Sequence, residues 1–161
     1  MSIEINLPQF PVEGGCQCGA VRYRLLGPPL AAYLCHCRDC QRLGGSAFSL
    51  SMPVARERLE LVQGTLAACD KTADSGRTVR MHSCGHCGAK LWNEPLSAPG
   101  MAVLRASTLD DTNWFRPVGN IWTDSKMRWV EIDETLVNFP GQPADRQPLY
   151  DAWNQAVAGS Q

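Results

Sequence analysis

Cys35-His36-Cys37-Arg38-Asp39-Cys40 is the stretch around which the chain is organised. Three thiols fall within six residues. Cys16-Gln17-Cys18 precedes it and Cys84-Gly85-His86-Cys87 follows, so seven of the eight cysteines are clustered and only Cys69 stands apart. Glycines flank each cluster and let backbone turn tightly around a small object.

How those thiols are read depends on the compartment. The first residues, Met1 to Val12, show no basic start followed by an apolar run, so no secretory signal is expected. No apolar stretch approaches the ~20 residues that span a bilayer. The reading is a cytoplasmic chain with reduced thiols. There, clusters at this spacing bind metal more readily than they form a disulfide framework. A formal net charge of −1 offers no basic patch for nucleic acid or a membrane surface.

Working outward, the flanks read as short strands. Val21, Tyr23 and Leu25 alternate with Arg22 and Arg24, the period of a half-buried strand. Phe48, Leu50 and Met52 alternate with Ser49 and Ser51 until Pro53, and Leu43-Gly44-Gly45 reads as a loop between this strand and the central cluster. Further strands are expected at Leu59–Val62, Val79–His82, Ala89–Trp92, Met101–Ala106, Ile121-Trp122 and Arg128–Ile132. Residues 1–13 read as a leader forming an edge segment, and Asp70–Gly76 as a polar loop. Only the tail suggests a helix, through Leu149, Trp153 and Val157 spaced four apart. Many short strands punctuated by Gly and Pro predict an all-β domain spanning all 161 residues, with the motifs over 12–140 and a tail over 141–161.

Structural zinc takes four ligands; a zinc site where chemistry occurs keeps one position open. Cys16 and Cys18 with Cys84 and Cys87 make two pairs for a closed site, since residues i and i+2 of a strand share a face. A shared ion would clip the start of the sheet to its middle. Cys35, Cys37 and Cys40 close on a second ion and leave it one ligand short. His36 lies between two ligands with its ring expected to point away from theirs. His82, His86 and Cys69 have no stronger claim, and the bland reading is surface or neighbouring histidines and a free thiol. A purely structural second zinc is the plain alternative. A three-thiolate zinc is a poor activator of water but can hold an incoming thiol as thiolate, the nucleophilic form.

Taken together, Gly15-Cys16-Gln17-Cys18-Gly19-Ala20-Val21, Cys35-His36-Cys37-Arg38-Asp39-Cys40-Gln41 with Gly44-Gly45, and Cys84-Gly85-His86-Cys87-Gly88 resemble the glutathione-dependent formaldehyde-activating enzyme family, shared also by centromere protein V. Ser107-Thr108-Leu109-Asp110, Pro117 through Ile121-Trp122, and Trp129 extend the likeness. The resemblance implies a tent-like, multi-sheet all-β fold of short antiparallel strands. It implies two zinc ions per chain, a structural one on Cys16, Cys18, Cys84 and Cys87 and a labile catalytic one on Cys35, Cys37 and Cys40. It further implies a carbon–sulfur lyase of the S-(hydroxymethyl)glutathione synthase type, with glutathione and formaldehyde or another small aldehyde as partners. Arg38 or His36 is the expected helper at the aldehyde oxygen. Arg22, Arg24, Arg38 and Arg42 are candidates for a substrate carboxylate, and Gly44-Gly45-Ser46 for approach to a peptide-like backbone. Phe48, Trp92, Trp114, Trp122 and Trp129 read as core. The alternatives are a non-catalytic zinc module for protein or nucleic-acid contact, and a thiol-redox enzyme of the methionine-sulfoxide-reductase type. Oligomeric state is not read from the sequence.

Overall fold

The computed structural model describes residues 3–159; the first two residues of the expected leader and the last two of the tail lie outside them. Among the described residues, strands dominate, in two sheets. A three-stranded sheet has the order β1 (Val12–Gly15), β2 (Arg22–Leu25), β5 (Leu59–Gln63). Its alternation holds: Val21, Tyr23 and Leu25 are fully buried and Arg22 and Arg24 are not. The leader's end supplies the edge strand β1, as expected.

The larger sheet contains β3 (Tyr33–Cys35), β4 (Ser49–Ala55), β6 (Leu66–Thr72), β7 (Thr78–Cys84), β8 (Lys90–Pro95), β9 (Met101–Arg105), β10 (Gly119–Ile121) and β11 (Val137–Asn138). Their order is β11-β10-β3-β4-β9-β8-β7-β6. The core runs between the sheets and gathers Trp92, Tyr23, Met52, Leu104 and, from the tail helix α2 (Gln147–Ala158), Leu149 and Trp153. No helix among the described residues is long and apolar enough to cross a membrane.

Six expectations change. The strands are not all antiparallel: β10 pairs in parallel with both β3 and β11. The stretch after the central cluster is a helix, α1 (Arg38–Gly44). Its N-cap is Cys37, whose Sγ accepts from the Cys40 N–H at 3.4 Å, and Gly45 at φ 59° ends it in the left-handed conformation. Asp39 in the first turn and Arg42 in the last match the helix dipole.

Pro53 does not stop β4. Its carbonyl accepts from Leu30 N, so its backbone polar atoms face the β3 side, beyond the end of that short strand, and its missing N–H costs no bond to β9. Asp70–Gly76 is not all loop, since β6 runs to Thr72 and holds Cys69 in its middle, exposed on the sheet edge. Arg128–Ile132 forms turns and irregular chain in place of a strand, and Trp129 there is 72% exposed, outside the core.

Candidate metal centres and the adjoining cleft

Cys16 and Cys18 sit in the turn joining β1 to β2; Cys84 ends β7 and Cys87 follows in the turn to β8. These four Sγ atoms lie within 4.8 Å of one another. Cys16 and Cys18 sulfurs are 3.5 Å apart, and Cys18 and Cys84 are 3.8 Å apart. Four sulfurs around one zinc at Zn–S 2.3 Å would be about 3.8 Å apart. Backbone N–H groups already face the sulfurs: Val21 N donates to Cys16 Sγ (3.2 Å), and His86 N and Cys87 N donate to Cys84 Sγ (3.4 and 3.5 Å). Burial raises the Cys16 thiol, but the Val21 N–H and the neighbouring thiols outweigh it and bring it down to about 6. The Ala20 N–H favours the Cys18 thiolate, yet crowding against Cys16, Cys87 and Cys84 pushes that thiol up to about 12. Sulfurs this close cannot all be anions without a cation among them, so the donor set fits a metal ion. An ion held here would join something other than expected: a turn of the small sheet to a turn of the large one.

Cys35, Cys37 and Cys40 form the second group, again with all Sγ atoms within 4.8 Å. The end of β3 places Cys35, and the N-cap and first turn of α1 place Cys37 and Cys40. No fourth Cys, His, Asp or Glu joins them among the described residues. Cys37 and Cys40, then burial, hold the Cys35 thiol well up. Cys40 is driven down by Cys35 and Cys37 and by the positive charge of Arg105. Arg105 is 6% exposed, and its Nη1 and Nη2 donate to Cys40 Sγ at 3.5 and 3.6 Å.

Cys35, Cys37 and Cys40 line a cleft of about 130 Å³. Apolar walls come from Met81, Val103, Ile121 and Trp122. Polar groups come from Tyr33 and Ser51 beside the cysteines, from Lys71 and Arg77 on the β6–β7 hairpin, and from Arg105 and Arg146. Lys71 is ion-paired to Asp39 of α1. Arg77 and Arg146 have no carboxylate partner among the described residues. Two carboxamide atoms of the lining, Asn93 Oδ1 and Gln142 Nε2, are buried without a hydrogen-bond partner. Burial pushes the Tyr33 phenol up to about 12 and keeps it protonated.

Several expected residues lie elsewhere. His36 is fully buried and does not line the cleft; its Nε2–H donates to Asn120 Oδ1 at 2.9 Å and its ring meets Phe48 edge-on. Gln41 ties the same segment down by donating to the His36 and Ser125 carbonyls. His36 is therefore not a surface residue, and it does not face the cleft as a helper at the aldehyde oxygen would. Arg22 pairs with Asp110, Arg24 with Glu13, Arg38 bonds Gln41, and Arg42 is exposed on α1; none lines the cleft. Ser46 bonds the Phe48 carbonyl in a plain turn. His82 packs against Trp92 and Glu94, and His86 sits in the turn of the four-cysteine group.

Comparison with known proteins decides the family. Residues 11–125 match the family model described as glutathione-dependent formaldehyde-activating enzyme. The chain belongs to that family. A Halomonas elongata protein named "Putative glutathione-dependent formaldehyde-activating enzyme" is 27% identical over 140 residues, which cover 82% of this chain and 88% of that protein. A crystal structure of a Rhodobacter sphaeroides protein aligns at a TM-score of 0.50 and 24% identity, over 63% of this chain and 90% of that one, a likeness of fold. The family match spans both sequence segments of the small sheet, the three-cysteine group and the four-cysteine group.

Proposed function

We propose that this member of the family is a zinc-dependent carbon–sulfur lyase of the S-(hydroxymethyl)glutathione synthase type. It joins the thiol of glutathione to formaldehyde or another small aldehyde. In this reading Cys16, Cys18, Cys84 and Cys87 hold a structural zinc, and Cys35, Cys37 and Cys40 hold the zinc that serves the reaction. The observation that carries it is the opening of the three-cysteine group, one ligand short of a tetrahedron, into the cleft. Bound there, zinc would supply a Lewis acid that favours the substrate sulfur as thiolate.

The remaining steps belong to the chain's own side chains. Arg77 and Arg146 offer positive charge to the carboxylates of the thiol. Asn93 Oδ1 and Gln142 Nε2 lack partners that the amide groups of a peptide-like ligand would supply. Met81, Val103 and Trp122 keep water from the reacting atoms. As the carbon–sulfur bond forms, the carbonyl π pair moves onto oxygen; the proton that the thiol gave up on binding has gone to solvent, from which the donor to oxygen is reprotonated after each turnover. Oxygen must gain a proton, and the Tyr33 phenol is the neutral donor beside the cysteines.

Formaldehyde and glutathione also combine unaided, so the test is the exchange rate between free and hydroxymethylated glutathione, read by NMR with and without protein. A concentration-dependent acceleration that Cys37→Ser abolishes, with the variant still folded, is expected. Equal acceleration by Cys37→Ser would remove the three-cysteine group from the reaction.

A further inference from the structure

A buried charge is tolerated only against a counter-charge. Arg105 is buried at the end of β9, and no carboxylate among the described residues pairs with it. Its partners are sulfur and cleft: two N–H groups point at Cys40 Sγ, and the residue lines the space into which the three-cysteine group opens. Across the strands it faces Ser51 of β4, whose hydroxyl bonds Ser49 and offers no negative charge. The charge of Arg105 is therefore placed for anionic sulfur and for little else.

The charge count gives this placement a purpose. A divalent zinc on three thiolates has a net charge of −1, and a fourth thiolate would make it −2 inside a partly apolar cleft. A fixed guanidinium against one of the sulfurs offsets one unit of that charge. We propose that Arg105 is a positioning residue that balances the charge of the three-cysteine centre and thereby lets it accept a substrate thiol as the anion. This rests on the function proposed above and deepens it: Arg105 selects for an anionic incoming ligand over a neutral one.

The test compares two probe ligands at the open position of protein carrying Co2+ on the three cysteines. Glutathione binds as an anion and imidazole as a neutral ligand, and each changes the visible cobalt spectrum. Arg105→Met, which keeps the bulk and removes the charge, is expected to weaken glutathione by about tenfold or more and imidazole by less than about twofold. Arg105→Lys, which restores the charge, is expected to recover much of the glutathione affinity. Glutathione affinity unchanged in Arg105→Met, or both ligands weakened alike, would overturn the proposal. If Arg105→Met loses the cobalt altogether, Arg105→Lys decides: retained metal and glutathione uptake support it, and failure like that of Arg105→Met overturns it. Wild-type protein that takes up no glutathione overturns the proposed function and this inference together. Wild-type uptake that Arg105→Met matches overturns the inference alone.

Discussion

Tyr33 and Gly64 show how much single positions carry. Tyr33 is buried beside Cys35 with its proton held firmly, and removing only its hydroxyl tests the proton it is proposed to give. Tyr33→Phe should slow glutathione–formaldehyde exchange by about tenfold or more while both metals stay bound, measured by NMR exchange and metal analysis. Gly64, at φ 86°, packs its α-carbon against the Ala20 carbonyl in the turn that holds Cys16 and Cys18. A Cβ there would overlap that oxygen. Gly64→Ala should cost about 2 kcal/mol or more in urea unfolding, beyond the ~1–2 kcal/mol of the left-handed backbone alone. Gly76→Ala is the control, since Gly76 has a similar φ of 77° with nothing near its Cβ. Equal losses at both would show that the contact with Ala20 contributes nothing. Trp122 holds φ 62° without being glycine, and it does so on the cleft wall, where strained backbone is often found at functional positions.

At the scale of elements, the two cysteine groups should separate in their effects. The four-cysteine group joins turns of different sheets, so a metal held there would resist the parting of the sheets. Cys84→Ser should lose one metal per chain and lower Tm by roughly 10 °C, taking about 3 kcal/mol at 2–4 °C per kcal/mol. Cys37→Ser should lose the other metal with a much smaller change in Tm, because α1 keeps its anchors through Gln41 to His36 and Ser125. Calorimetry with metal analysis reads both, and equal Tm losses would contradict the division into structural and reactive centres. The tail helix contributes through Trp153, 2% exposed in the core; Trp153→Ala should cost about 3–5 kcal/mol in the same experiment.

For the whole molecule, the cleft draws on distant parts of the chain: β3 and α1, the β6–β7 hairpin, the end of β9, and Arg146 just before α2. Arg146→Ala should raise KM for glutathione about tenfold and leave KM for 2-mercaptoethanol, which has no carboxylate, unchanged. Equal effects on the two thiols would mean that Arg146 shapes the cleft without meeting a carboxylate.

Some of this was local and legible. The spacing of Cys16, Cys18, Cys84 and Cys87 and of Cys35, Cys37 and Cys40 grouped the thiols as the fold does: each run is set by a turn of a few residues, and the count of ligands joins the first two runs, although they meet only where the two sheets do. The alternation through Tyr23 and Leu25 marked a half-buried strand for the same reason. The helix after Cys37 was hidden because its cap is a cysteine, outside the usual capping residues, and because Gly44-Gly45 reads as a loop when it is in fact the helix end. What only the tertiary structure decided depends on partners far along the chain. Ser49 and Ser51 are buried because β4 lies inside the sheet, and β10 runs parallel to β3 across more than eighty residues. Arg105 reaches Cys40, and Arg77 and Arg146 reach the cleft, while the arginines closest in sequence to the cysteines do not. A residue's type and spacing state which chemistry it can perform; its burial and its neighbours, which give that chemistry a charge and a direction, are set by contacts that close only when the sheets meet.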